Sequence, residues 1–391
     1  MKIRKTLPPA AVKLCSKDLL WGLASCVCGP GGENIEREIS EHFGCRHAFS
    51  FSSGKAALSL LLGALASLKK RRKVVIPGYT CFSVASAVRK AGLDIAVCDV
   101  RSDTLDFDFN QLEAVTDKDT LCVIPTHLFG IRSDVGKVKE IADRKEIFVV
   151  EDSAQAFPGP DRKTKGAQGD AEIFSFARGK NITCGSGGLL LAASEEIAFA
   201  LGARFKSLDS ESRISAAGSL AGLAMMKLFM NPWLYWFPDG LTFLKLGETV
   251  YSVNYPIYKL NKLKYKFISD WKKQTESADI RRSFLGEEYK KALGLDREQG
   301  IYAGRVPYLR FPVYMKNAEA KCRVLKKYRR LGVSGMYPSS ICEIRELSSF
   351  VEPRSCPGSV EIASRLVTLP THHYVNNDIM KKICSAISEK F

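Results

Sequence analysis

The chain has 391 residues, 46% of them hydrophobic and 26% charged, and carries a formal net charge of +16. A chain of this length outgrows a single core, so two domains are expected, and its ordinary apolar content excludes disorder and low complexity. Twelve cysteines without paired CxxC spacing exclude a zinc ribbon or thioredoxin-like motif and fit a reducing cytoplasm. Only Cys26 and Cys28 lie close together.

Residues 1–9 are charged and lack the apolar core of a signal peptide. Gly29-Pro30-Gly31-Gly32 punctuates the chain, after which Ile35, Ile39 and Phe43 stand at the spacing of a short amphipathic helix. A strand over 48–51 then runs into Ser52-Ser53-Gly54-Lys55, which opens an Ala/Leu-rich helix to about Leu68. The free N–H groups and positive dipole end at that turn make a phosphate site, and a plain serine N-cap is the commoner meaning of the same residues.

Strand and helix signals alternate from there. Apolar runs at 74–76, 95–98, 121–124 and 147–150 are separated by helices over about 83–91 and 135–144. Short apolar runs between helices predict an α/β fold, a mostly parallel sheet covered on both faces, whose ligands bind past the carboxyl ends of the strands. Ser52 and Ser53, Tyr79 to Phe82, His127, Asp152 with Gln155, and Ser175 leading to Lys180 all fall just past such runs.

The stretch from Phe174 to Gly188 reads as strand, loop and strand with Lys180 in the loop. A lysine on a glycine-rich turn between buried strands is placed to form a Schiff base with an aldehyde cofactor, and a solvated loop lysine is the plain alternative. Asp152 closes a strand 28 residues earlier. A strand-end carboxylate can keep a pyridine nitrogen protonated, or simply cap a helix or turn. Five histidines without a carboxylate cluster give no reason to propose a metal.

Beyond Arg204, residues 216–237 carry one charge, Lys227, and place Leu223, Met226, Met230, Trp233 and Phe237 at helical spacing. Pro232, Pro238 and Lys227 argue against a membrane span. Two readings stand: an apolar hairpin packed as a lid or dimer contact, or a peripheral contact with the inner membrane face. The stretch from Lys245 to Arg330 holds 21 Lys or Arg against 9 Asp or Glu. It carries no nucleic-acid-binding motif, so no nucleic-acid partner is expected. A helix over 283–293, a proline-interrupted strand over 306–314, a basic helix over 318–331 and a last helix from Asp378 to about Glu389 complete the chain. Arg310, His372 and His373 are read as structural or surface groups sooner than crevice residues.

Taken together, Ser53-Gly54-Lys55-Ala56-Ala57-Leu58, Ile76-Pro77-Gly78-Tyr79-Thr80, Pro125-Thr126-His127-Leu128-Phe129-Gly130, Glu151-Asp152-Ser153-Ala154-Gln155-Ala156 and Phe174 through Lys180 to Gly188 resemble the DegT/DnrJ/StrS sugar aminotransferases. The likeness extends through residues 251–255 to Leu369-Pro370-Thr371-His372-His373. It implies a fold-type I architecture, with a mostly parallel seven-stranded sheet and a smaller C-terminal α+β domain. The implied division is an arm and helix over 1–45, a large cofactor-binding domain over 46–264 and a small domain over 265–391. The resemblance further implies a homodimeric, cytoplasmic enzyme that uses pyridoxal 5'-phosphate to move an amino group from glutamate or glutamine onto a nucleotide-linked keto sugar. Such an enzyme would serve polysaccharide or cell-surface glycan synthesis.

By position, Lys180 matches the Schiff-base lysine, Asp152 the pyridinium partner and Gln155 the residue beside the ring. Ser53, Gly54, Lys55 and Ser175 match phosphate contacts, Cys81 the position facing the cofactor, and Asn254 an asparagine that reaches the partner subunit's cofactor. Three positions depart from the pattern: Lys55 replaces a threonine, Cys81 an aromatic ring and Pro256 an arginine. Another fold-type I pyridoxal phosphate enzyme, such as a dehydratase, desulfurase or amino-acid transaminase, and a non-catalytic membrane-associated homologue are the competing readings.

Overall fold

In the computed structural model, residues 5–14, 16–17, 19–20, 35–45, 47–157, 167–241, 247, 249–295, 299–351 and 355–388 are described. Cys26, Cys28 and the Gly29–Gly32 punctuation lie outside them. Helix α1 (Ile35–Phe43) buries Ile35, Ile39 and Phe43, the stripe expected from their spacing. Seven strands follow: β1 (His47–Phe51), β2 (Lys73–Pro77), β3 (Asp94–Cys98), β4 (Thr120–Val123), β5 (Phe148–Asp152), β6 (Ala171–Ser175) and β7 (Gly188–Ala192). They form one sheet in the order β1-β7-β6-β5-β4-β2-β3, in which only β7 pairs antiparallel to its neighbours.

Burial on both faces explains why these strands are continuous apolar runs and not alternating ones. Helix α2 (Gly54–Lys69) lies against the sheet with eight buried residues, among them Leu58, Leu61, Leu62 and Leu65. Helices α3 (Phe82–Lys90), α4 (Phe109–Val115), α5 (Val135–Asp143) and α6 (Glu195–Lys206) complete the covering layers. Valines and leucines from the two sheet faces enter separate clusters, Val74, Ile76 and Leu121 in one and Val75, Ala96 and Val123 in the other.

The apolar insert is not one continuous stripe. Helix α7 (Arg213–Phe229) ends before Pro232, and a short α8 (Trp236–Asp239) follows the turn. Ala216, Leu220, Leu223 and Met226 pack with Phe176, Ile182 and Cys184 of the Lys180 loop, whereas Trp233 and Phe237 are exposed. The insert is therefore a packed cover over that loop, and among the described residues no helix is long and apolar enough to cross a membrane.

The C-terminal region is built on α9 (Trp271–Leu293), α10 (Ala318–Tyr328), α11 (Pro357–Arg365) and α12 (Asn377–Ser388) around a two-stranded antiparallel sheet of β8 (Arg310–Tyr314) and β9 (Leu366–Pro370). Helix α9 begins twelve residues before the expected 283, because those residues are largely charged and bury only Trp271, Thr275 and Arg282. The strand expected over 306–314 pairs only from Arg310. Pro312 sits in β8 without loss, since a two-stranded sheet leaves each strand a free edge.

Candidate active site

The carboxyl ends of the strands converge as predicted. Ser53 caps α2, its hydroxyl accepting the Ala56 N–H at 3.2 Å, so the first helical N–H groups, of Gly54 and Lys55, precede the intrahelical ladder. Ser175 ends β6 next to them: a Cβ added to Gly54 would stand 3.4 Å from the Ser175 Cβ. On β7, a Cβ at Gly188 would lie 2.5 Å from the Gly54 nitrogen and 2.6 Å from the Ser53 carbonyl carbon. Both are backbone atoms, so Gly188→Ala is expected to push β7 away from the anion-binding turn. We expect a loss of about 1–3 kcal/mol of stability, measured by denaturant unfolding.

Lys55 does not point at the turn. Its ammonium lies 4.1 Å from the centroid of the Tyr255 ring, and burial lowers its pKa. Tyr255 is pinned by a 2.6 Å hydrogen bond between its hydroxyl and that of Ser59. Asn254 is exposed, its N–H donating to the Ser252 hydroxyl at 3.2 Å, and Pro256 is exposed beside it.

Lys180 sits in the loop from β6 to β7, shaped by left-handed Gly179 and Gly185 and tied by Thr183 and Cys184 to the Phe176 carbonyl at 3.0 and 3.1 Å. Protein crowds its stem closely while part of the side chain stays open to the crevice. Burial drives the pKa of its amine down, against the opposing effects of Cys81 and Asp152 and with a further push from Arg310. Asp152 is buried at the end of β5, and burial raises its pKa against the Ala154 N–H, which it accepts at 3.0 Å, and against Lys180 and His127. The two groups feel each other without closing into an ion pair.

Cys81 is within electrostatic reach of both Lys55 and Lys180, and its thiol accepts from the Ser83 hydroxyl at 3.0 Å. Gln155 is fully engaged on one side: its carbonyl accepts from the Phe129 N–H at 3.2 Å and its amide donates to the Tyr337 hydroxyl at 2.6 Å. Phe129 has a left-handed backbone (φ 58°), which the Gln155 bond and the Leu309 N–H to Phe129 carbonyl bond, 2.8 Å, hold in place.

His127 lies behind the site, not in it. It is fully buried, accepts the Ser133 N–H on Nδ1 at 2.9 Å and so donates from Nε2 to Glu151 at 3.0 Å. Glu151 and Glu172 come close enough with His127 to bracket an ion, yet Arg132 reaches both carboxylates, at 3.3 and 3.5 Å. Although burial pushes the Glu151 carboxyl up, the hydrogen bonds from His127 and the Gly169 N–H hold it below the usual range. This network fixes the backbone that carries Asp152.

Arg310 lies within electrostatic reach of Lys180 and adds to the lowering of its pKa. His372 is structural, its ring bonded to the Pro8 carbonyl at 2.8 Å. Sequence reasoning missed Tyr337, which joins the site from a distant segment through its hydrogen bond with Gln155 and without any local motif. Tyr79 is buried and its hydroxyl proton finds no acceptor among the described residues.

These residues fit pyridoxal phosphate. A helix N-terminus and two serines offer a phosphate seat, and the Lys180 amine, without an ion pair among the described residues, and the buried Asp152 carboxylate lie within electrostatic reach of each other. Tyr79 adds a buried donor without an acceptor among the described residues.

Residues 19–210 match the model of the DegT/DnrJ/EryC1/StrS aminotransferase family. GDP-perosamine synthase of Caulobacter vibrioides is 31% identical over 165 residues, which are 42% of this chain and 44% of that protein. The match thus spans less than half of that relative's length. Among solved structures, the sugar aminotransferase CalS13 of Micromonospora echinospora is 20% identical with a TM-score of 0.76, over 98% of this chain and 100% of that one. AtS13 of Actinomadura melliaura is likewise 20% identical, with a TM-score of 0.76 and full coverage of both chains. The matched region, just under half of the chain, carries the carboxyl ends of all seven strands of the large sheet, and through it the chain is similar to the DegT/DnrJ/EryC1/StrS aminotransferase family.

Proposed function

We propose that the chain is a pyridoxal-phosphate-dependent aminotransferase that moves an amino group from glutamate or glutamine to a nucleotide-linked keto sugar. The observation that carries this reading is the Lys180 amine, without an ion pair among the described residues, within electrostatic reach of buried Asp152. When bound, pyridoxal phosphate supplies an electron sink for the carbon that gains or loses the amino group. Ser53, Gly54 and Ser175 would hold its phosphate, Asp152 would keep the ring nitrogen protonated, and Gln155 and Cys81 would stand beside the ring. Lys180, whose amine burial drives toward the neutral form, would take a proton from the donor carbon at Nζ and return it elsewhere. Asn254 of a partner subunit completes the phosphate seat in a homodimer, which fits its exposure in the single chain. Lys55, drawn onto Tyr255, contributes charge at a distance and no direct contact.

The sign of the Lys180 shift makes a prediction. A lowered pKa leaves more neutral amine at any given pH, so cofactor capture should rise with pH through a midpoint below that of an ordinary lysine. Stopped-flow absorbance after mixing with pyridoxal phosphate measures that midpoint. Asp152→Asn removes a group that raises the pKa and should move the midpoint lower still.

The reading is tested by loading the protein and adding glutamate or glutamine, then a panel of nucleotide keto sugars. A visible band lost with donor and regained with one sugar, together with amino-sugar product by mass, is the expected result. A band that no amino donor alters contradicts transamination.

A further inference from the structure

Strand β3 is the last in the order of the large sheet, and the segment that begins at Ser340 forms a strap along its outer edge, where Val351 bridges Ile95. Ile341, Ile344, Leu347 and Cys356 enter the same core cluster as Ile95 and Val97 of that strand. One end of the strap is fixed on the Gly78 carbonyl, which accepts from the Ile341 N–H at 2.8 Å and from the Ser340 hydroxyl at 2.9 Å. The other end runs into α11 and is fixed on the Asp99 carboxylate, which accepts from the Gly358 and Ser359 N–H groups at 2.8 and 2.7 Å. Gly78 and Asp99 each directly follow one of the paired strands β2 and β3, so both anchors stand at one corner of the sheet.

These anchors bring two free thiols together. The sulfurs of Cys342 and Cys356 lie 2.9 Å apart, which leaves less than about 1 Å to close before they reach the length of a disulfide bond. Their surroundings differ in a useful way. Cys342 is half-buried, so a small oxidant can reach it, whereas Cys356 is buried behind it. The hydrogen bond from Cys356 holds the Cys342 thiol below its usual range despite burial, and the same bond, with burial, pushes Cys356 up. The thiolate is the nucleophile in sulfur oxidation, so Cys342 is the sulfur that attacks and Cys356 the one that resolves.

We propose that Cys342 and Cys356 form a reversible oxidation site, at which a peroxide joins them in a disulfide that closes the strap over β3. The Cys342 sulfur takes one peroxide oxygen, the O–O bond breaks and the other oxygen leaves as water, so Cys342 becomes a sulfenic acid. The Cys356 sulfur then bonds to it, and the hydroxyl departs as a second water with the Cys356 proton. The two thiols lose two electrons and two protons in all, and the peroxide is reduced to water. A small dithiol reverses the link by exchange, passing through a mixed disulfide at the accessible Cys342. Closing the loop from 342 to 356 restricts the unfolded chain, so the oxidised protein resists unfolding better than the reduced one. The site does not depend on the aminotransferase reading.

The test uses the full chain, reduced with dithiothreitol, freed of it and treated with hydrogen peroxide near stoichiometry, after which the remaining thiols are blocked with N-ethylmaleimide in denaturant and the peptides are mapped by mass. Cys342 and Cys356 should escape alkylation and appear in one cross-linked peptide pair that dithiothreitol separates. The thermal unfolding midpoint of the oxidised protein should lie roughly 2–5 °C above that of the reduced protein. Cys342→Ser should show neither the link nor the shift, and Cys322→Ser, at an exposed cysteine, should show both. A wild-type map in which Cys342 and Cys356 stay alkylated, carry oxygen without a link or pair with other cysteines overturns the inference, and the two are then packed thiols only. A link that leaves the midpoint unchanged overturns the closing of the strap. If Cys342→Ser does not fold, the wild-type map and the two midpoints decide by themselves.

Discussion

Lys180→Ala is expected to abolish transamination, lowering kcat by ~10⁴-fold or more, because in the proposed reaction one atom, Nζ, both anchors the cofactor and moves the proton. The fold should survive the change. Lys180 makes no ion pair or side-chain hydrogen bond among the described residues, and its loop is held by Thr183, Cys184, Gly179 and Gly185. Thermal unfolding of the cofactor-free variant should therefore match wild type or exceed it slightly, since an enclosed, unpaired amine has been removed. Added methylamine can replace the proton carrier but not the covalent anchor, so partial rescue of rate without rescue of stable cofactor retention is the expected signature. A variant that keeps full activity would place the chemistry on another lysine.

Asp152→Asn should lower kcat by roughly 10²–10³-fold while leaving the fold intact. The carboxylate and its amide have the same shape, and asparagine can still accept the Ala154 N–H. What disappears is the negative charge that favours a protonated ring nitrogen, and an opposite charge at short range shifts a pKa by about 1–3 units, each unit being about 1.4 kcal/mol. The sign of the Asp152 shift adds a second readout. Burial holds this carboxyl above the usual range, so in the cofactor-free protein it is neutralised at a higher pH than an ordinary aspartate. As pH falls through that raised value, cofactor capture should weaken, and the Asn variant should lack this acid limb. A variant with an unchanged acid limb would remove Asp152 from the site.

Much of this arrangement was legible because it is local. Buried parallel strands write themselves as apolar runs, and whatever follows each run must lie at one edge of the sheet; that logic placed Ser53, Asp152, Gln155, Ser175 and Lys180 together. His127 obeyed the same rule but ended behind the sheet edge, because its partner Glu151 points to the opposite side of β5 from Asp152, as alternation along a strand requires. The C-terminal contribution was not legible. Tyr337 reaches Gln155 through long-range packing, its ring against that of Tyr79 with centroids 5.3 Å apart. No spacing in the chain encodes such contacts. Lys55 was misleading for a related reason: its neighbours in sequence describe a phosphate turn, but Tyr255, 200 residues on, draws its ammonium away.

The most direct test of the account is to load the protein with pyridoxal phosphate, reduce it with borohydride and map the pyridoxyl mass by peptide sequencing. The label should fall on Lys180 and be absent from Lys180→Ala. A protein that acquires no label, or one labelled at Lys55 or another lysine, would contradict it.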